Sequence, residues 1–183
     1  MRRAVPFLRS DYCTDPEGMQ CHTYGFGLWL PYYRGATEKI EAYDFRSNLS
    51  PLMMMAWNMR QKDLDYAMAH KLMGQWRQVA SHLLGDFYPL TNYSVANDVW
   101  MVFQFDSLDG AEGIVQAFRR AACPADSIRV TLRGLDPSAI YVMSNLDVAD
   151  ATETTGRELC ESGILIALKD RPGSAIMTYK KKS

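Results

Sequence analysis

The residues of this chain that could do chemistry crowd near its start. Arg9-Ser10-Asp11-Tyr12 is followed by Gln20-Cys21-His22-Thr23-Tyr24-Gly25, then by Leu28-Trp29-Leu30-Pro31-Tyr32-Tyr33. A carboxyl group moves protons and flat aromatic rings pack against pyranose faces, so an Asp amid Tyr and Trp suits sugar chemistry. The competing reading of Asp11 is structural: it pairs with Arg9 or caps a turn. Spacing alone leaves both open. Cys13, Cys21 and His22 invite a metal reading, yet a zinc site needs three or four ligands at tight local spacing. Cys-x7-Cys-His has no further partner nearby, so no metal is expected. His70 and His82 fall inside a helical pattern and read as its polar or partly buried face. The sequence has no Gly-rich phosphate loop, no Gly-x-Ser-x-Gly elbow and no His-Glu-x-x-His, so no cofactor is expected either.

The elements around these residues follow from hydrophobic periodicity. Val5-Pro6-Phe7-Leu8 reads as a buried strand that delivers Arg9 to Tyr12 at its C-terminal end, where α/β barrels hold their catalytic groups. Leu52-Met53-Met54-Met55-Ala56-Trp57 is a continuous apolar run. It suits a strand buried on both faces or a short helix, and periodicity does not decide. The clearest helix spans Asp63 to Leu84, where Leu64, Met68, Leu72, Trp76, Val79 and Leu83 form one stripe. Asp63 is its expected N-cap and Gly85 its expected C′ residue.

After Asn97 the pattern alternates. Val99 to Phe105, Gly113 to Phe118, Ile128 to Leu132, Ala139 to Met143, Ile164 to Leu168 and Ala175 to Tyr179 read as strands. Asp109-Gly110, Gly134-Leu135-Asp136-Pro137 and Arg171-Pro172-Gly173 mark turns between them. Thr155-Gly156-Arg157-Glu158 has the form of a capping box, which predicts a helical turn before Ile164. Aromatic residues thin out sharply after residue 100, where only Phe103, Phe105, Phe118, Tyr141 and Tyr179 follow. The break near Pro89-Leu90-Thr91-Asn92 predicts two domains, 1–92 and 93–183, the second a small antiparallel β-sandwich.

Composition excludes several classes. The chain has 183 residues, with 20 Lys and Arg against 21 Asp and Glu, a net charge of −1. No basic excess is present to bind nucleic acid, and Lys180-Lys181-Lys182 is expected to be a solvated terminus. No apolar stretch approaches the ~20 residues that cross a bilayer. The apolar run after Met1 is far too short for a signal peptide, so a cytoplasmic location is expected. Cys13, Cys21, Cys123 and Cys160 form no CxxC pair and are expected to be mostly reduced thiols.

A family resemblance joins these segments. The run from Met1 to Tyr12, the segment Gln20 to Gly25, and Trp29-Leu30-Pro31-Tyr32-Tyr33 resemble the later part of bacterial α-galactosidases of glycoside hydrolase family 36, the melibiases. Ser50-Pro51-Leu52, Trp76 with its helix, Asp86-Phe87-Tyr88-Pro89-Leu90 and Trp100 to Phe105 fit as well. So do Leu132 to Pro137 and Gly156-Arg157-Glu158-Leu159. The resemblance runs along essentially the whole chain.

It implies a fold of α/β plus all-β type: the terminal portion of a (β/α)₈ barrel followed by a small antiparallel β-sandwich. It also implies a retaining mechanism on terminal α-D-galactosides, with Asp11 as general acid/base. Arg9, Gln20, Cys21, His22 and Tyr24 would bind the sugar, the last four from the loop after Asp11. A retaining enzyme needs a second carboxylate as nucleophile, which the family places in a Lys-x-Asp motif. No Lys-x-Asp occurs in these 183 residues, and a complete barrel takes ~250 residues. The chain therefore reads as a fragment, inactive alone, whose expected partners are an α-galactoside, the missing N-terminal part of the barrel and further copies of itself in a homo-oligomer. The rival reading is a non-catalytic carbohydrate-binding or structural β-sandwich protein.

Overall fold

A computed structural model describes residues 7–9, 15–30 and 32–183. They form two compact units, Met1–Leu84 and Gly85–Ser183. The first alternates strand and helix: β1 (Phe7–Leu8), α1 (Pro16–Gly27), β2 (Tyr33–Thr37), α2 (Ala42–Ser47), β3 (Leu52–Met55) and α3 (Tyr66–Val79). Its strands make a parallel sheet in the order β1-β2-β3, with Phe7 opposite Tyr33 and Thr37 opposite Met55. Helix α1 starts where Asp15 accepts a hydrogen bond from the Gly18 N–H at 2.8 Å and Pro16 takes the first turn.

Close approach fixes the middle of this sheet. The Gly35 N–H donates to Ser50 Oγ at 2.6 Å, and a Cβ on Gly35 would lie 2.2 Å from the Asn48 carbonyl oxygen. The Ser50 carbonyl in turn accepts from Trp76 Nε1 at 3.0 Å, which ties α3 to the entry of β3. The apolar run at Leu52 is thus a strand, but a half-buried one, with Met54 exposed rather than covered on both faces. Phe7 is likewise exposed, while Val5 and Pro6 lie outside the described residues.

Helix α3 is shorter than its pattern predicts. Asp65, not Asp63, caps it by accepting from the Met68 N–H at 2.9 Å. The α-helix stops at Val79, and His82–Leu84 tightens into a 3₁₀ turn that carries the apolar stripe on to Leu83. Gly85 therefore follows the turn and is not the C′ residue of the α-helix. His70 is exposed and His82 half-buried, as their helical positions predict.

The second unit is antiparallel. It contains β4 (Asp86–Pro89), β5 (Trp100–Asp106), β6 (Glu112–Arg119), β7 (Ser127–Val130), β8 (Ile140–Asn145), β9 (Val148–Thr155), α4 (Gly156–Glu161), β10 (Ile164–Ala167) and β11 (Gly173–Lys181). Six strands form one sheet in the order β4-β5-β6-β11-β8-β9, and β10 pairs with β7 in a second. The core lies between the sheets. Trp100, Val102, Val115, Ala117, Tyr141 and Tyr179 meet Val130, Leu132, Leu159 and Ile166. The opposite face of β5 is also apolar and buried, and Phe87 of β4 packs on it, 5.7 Å from Phe103 and 5.1 Å from Phe105.

Three details depart from the pattern. Strand β4 pairs with β5 in register Phe87 opposite Phe105, so the second unit starts at Gly85, ahead of the break read at Asn92. Strand β9 is exposed along nearly its whole length, and its sequence offers no apolar alternation to read. The three terminal lysines are not a free tail. Lys180 and Lys181 belong to β11, and Lys180, Lys181 and Lys182 lie 3.4, 2.9 and 2.7 Å from Glu112, Asp136 and Glu153. Such exposed, solvent-screened pairs add little to stability.

Candidate functional site

Asp11, the expected acid/base, lies outside the described residues, as does Cys13. Arg9, two positions before Asp11, is described and buried. It follows directly on β1, and its N–H extends the parallel ladder to the Arg34 carbonyl at 3.4 Å. The guanidinium turns inward. Nη1 donates to Thr23 Oγ1 on α1, Nη2 donates to the Ser47 carbonyl of α2 at 3.2 Å, and the group stacks 5.0 Å from the Tyr33 ring centre. Burial pushes its pKa down from the ordinary arginine value, with the Tyr33 hydroxyl acting in the opposite sense. Arg9 thus braces β1 against α1, α2 and β2 through one planar, many-donor group.

The segment Gln20 to Tyr24 is not a loop. It forms the middle of α1, and the 3.6-residue period sends its side chains in different directions. Gln20 is fully buried and donates through Nε2 to Tyr43 Oη and Ser47 Oγ, both at 3.0 Å. Arg9 and Gln20 therefore converge on Ser47. Cys21 and His22 face the other way and line an open hollow of about 530 Å³ with Gly25, Phe26, Trp29 and Leu30. Tyr24 is half-buried.

The hollow is mainly apolar, with two polar handles. His22 Nδ1 is buried and has no partner among the described residues. Burial, and then the nearby Arg9 charge, hold the His22 pKa below its ordinary value, so the ring is neutral at pH 7. Its edge meets Phe26 at 6.0 Å, and Phe26 meets Phe7 at 5.3 Å. Trp29 stands at the rim, 81% exposed. A neutral ring nitrogen, a thiol and exposed aromatic faces can bind an uncharged, hydroxyl-rich ligand. Among the described residues no cluster of three metal-ligating side chains occurs.

Four members of this region carry no individual signal in the sequence reading. Thr23 and Tyr33 lie in segments already singled out, but nothing in their spacing points to Arg9. Ser47 is an isolated serine whose role depends on two elements meeting. Asp44 is a buried carboxyl that accepts from Thr37 Oγ1 at 2.8 Å, and burial pushes its pKa up. It braces the turn between β2 and α2.

The first unit is a parallel strand–helix layer and the second a two-sheet antiparallel unit. Residues 100–179 match the family model described as the glycosyl hydrolase family 36 C-terminal domain. Beyond that match, the fold of the whole chain is like that of part of solved family 36 α-galactosidases. Three solved structures illustrate the likeness. The Geobacillus stearothermophilus α-galactosidase AgaB superposes with a TM-score of 0.70 at 20% identity. An AgaA variant from the same organism, in complex with raffinose, gives 0.73 at 17%. The Lactobacillus brevis α-galactosidase gives 0.72 at 14%. These matches cover 92%, 92% and 93% of this chain and 25% of each solved chain. The chain thus spans about a quarter of the length of the structures it matches. No curated protein matches it significantly.

Proposed function

We propose that this chain forms the C-terminal portion of a retaining enzyme that hydrolyses terminal α-D-galactosides. In this reading the parallel unit is the terminal portion of a (β/α)₈ barrel. Asp11 follows β1 as general acid/base, and Cys21, His22 and Tyr24 serve the sugar-binding side. Arg9 and Gln20 hold α1 in place from within. The observation that carries the reading is the fold likeness to family 36 α-galactosidases along 92% of the chain, parallel strands included. The raffinose complex of AgaA supports an α-galactoside as the substrate class.

The chemistry assigns Asp11 one of two carboxyl roles. As an acid it protonates the departing glycosidic oxygen; as a base it then takes the proton of the water that releases the sugar. The second carboxylate, about 5 Å away in a retaining site, must form the glycosyl intermediate. The Lys-x-Asp motif expected to supply it does not occur in the 183 residues. The chain alone is therefore expected not to turn over p-nitrophenyl α-galactoside. Hydrolysis by the purified 183 residues that disappears in Asp11→Asn would show that they hold a complete site, and the reading would fail. In an enzyme that includes the rest of the barrel, Asp11→Asn should slow substrates with poor leaving groups most. An equal loss on activated and unactivated substrates would mean that Asp11 is not the acid.

A further inference from the structure

The second unit leaves one side of its sandwich open. Strand β9 ends the six-stranded sheet, and β10 is an outer strand of the two-stranded one. Along one side β9 pairs with β8, in unbroken register from Ala151 to Thr155, and a bulge disturbs only its first residues. Its other side meets no strand among the described residues. Such an edge presents a row of free backbone donors and acceptors, and proteins usually blunt it with Lys, Pro or a covering element. Val148–Thr155 contains no Lys and no Pro and is exposed along nearly its whole length.

A groove of about 250 Å³ runs beside this edge. Thr152 and Thr154 of β9, Met143 of β8 and Met177 of β11 line it from the large sheet, and Ile164 and Leu165 line it from β10. Leu165 is 58% exposed. Glu158 of α4 adds a carboxylate to the lining. The capping box that contains it is only half closed. Thr155 Oγ1 accepts from the Glu158 N–H, but the Glu158 side chain turns to the groove, where Oε2 accepts from Thr154 Oγ1 at 2.9 Å. Among the described residues no Lys or Arg pairs with it: Arg157 lies 3.9 Å from Glu161, and Lys182 lies 2.7 Å from Glu153.

We infer that the β9 edge binds an extended polypeptide segment by strand addition. A lysine of that segment lies in the groove, its stem against Met143, Met177 and Leu165 and its ammonium on Glu158. Two separate features select this occupant. The open edge offers backbone hydrogen bonds to an added strand, and alternate side chains of that strand point to the groove side. The unpaired carboxylate then selects a cationic head, and the apolar lining selects a long apolar stem. A sugar is a poorer match, because no aromatic ring lines the groove. Every residue involved belongs to the second unit, so the inference goes beyond the barrel reading and its failure leaves that reading untouched.

The test titrates the full chain, labelled with methyl-¹³C methionine, with the peptide acetyl-Thr-Val-Lys-Val-Thr-amide. The expected result is saturable shifts of the Met143 and Met177 methyl resonances, with those of Met59 and Met68 unchanged. Norleucine in place of the peptide's lysine should weaken binding about threefold to fivefold. Glu158→Gln, which keeps an acceptor for Thr154, should erase that difference. Leu165→Lys, at an exposed position, should weaken the lysine peptide by placing a competing cation beside Glu158. N-methylation of alternate peptide amides should abolish binding, because it removes the donors that an added strand uses. Equal affinity of the lysine and norleucine peptides would overturn the recognition by Glu158, and full binding of the N-methylated peptide would overturn strand addition. No shift at millimolar peptide would overturn both. Methyl α-galactoside shifting the same two methyls would assign the groove to a sugar, and shifts that grow with protein concentration alone would assign the edge to a second copy; either result overturns the inference.

Discussion

Asp106 ends β5 in a buried polar network. Its Oδ1 accepts from Tyr179 Oη at 2.9 Å, and Gln104 Nε2 donates to the same hydroxyl at 2.9 Å. Gln104 also holds the Arg133 backbone, so the network clips the loop after β7 to the sheet. Burial, then the charges of Asp86 and Asp109, raise the Asp106 pKa from 3.8 to about 6, against the Tyr179 hydrogen bond. Because the folded carboxyl holds its proton more tightly than the unfolded one, its contribution is fully present below about pH 4 and is lost as pH rises through about 6. Asp106→Asn keeps the acceptor for Tyr179 and cannot ionise. Its stability advantage over the parent should therefore grow between pH 4 and pH 7 by about 1–3 kcal/mol. Urea midpoints measured in parallel across that range check this, and a constant difference would refute it. Gly35 gives a prediction of opposite sign. Gly35→Ala sets a methyl 2.2 Å from the Asn48 carbonyl oxygen, which should cost about 2–3 kcal/mol; unchanged thermal unfolding would mean that β2 and the α2–β3 connection can separate freely.

At the scale of elements, β4 shows what short strands contribute. Pro89 restricts the strand to a sheet edge, where its missing N–H is tolerated, yet Phe87 covers Phe103 and Phe105. A polypeptide of residues 85–183 should therefore be more stable than one of residues 98–183, by about 2–4 kcal/mol for the lost aromatic packing. Equal denaturation midpoints would place β4 outside the cooperative unit. The same strand explains what was legible in the sequence. Strands β5, β6, β7, β8, β10 and β11 alternate or run apolar because one or both faces are buried, and each could be read from its pattern. So could the α4 cap, where Thr155 Oγ1 accepts from the Glu158 N–H at 3.1 Å. Strand β4, Asp-Phe-Tyr-Pro, carries no in–out alternation, and β9 is exposed, so burial imposed none. In the candidate site, the segments holding Arg9 and Gln20 to Tyr24 were visible from their residue types. Their directions were not, because one helix turn sends Gln20 into the core and His22 into the hollow.

For the whole molecule, the first unit's surfaces set the expected behaviour in solution. Phe7, Leu28, Trp29 and Leu30 are exposed beside the larger hollow, and the two outer strands of a three-stranded parallel sheet have free edges among the described residues. Contiguous apolar surface and open strand edges both favour association. A net charge of −1 supplies almost no repulsion to oppose it. The purified chain at low micromolar concentration should therefore sediment as species heavier than its 20.8 kDa monomer and should bind an apolar dye. Trp29→Ser, at a position that contributes little to the fold at 81% exposure, should shift the distribution toward monomer and reduce dye binding while leaving the circular dichroism unchanged. The barrel reading makes one demand on this experiment: association must fall when the rest of a barrel is supplied in the same polypeptide, since closure covers both edges at once. A compact monomer without dye-binding surface would mean that these edges are already satisfied, and the first unit would then be a self-sufficient α/β layer and not a portion of a closed barrel.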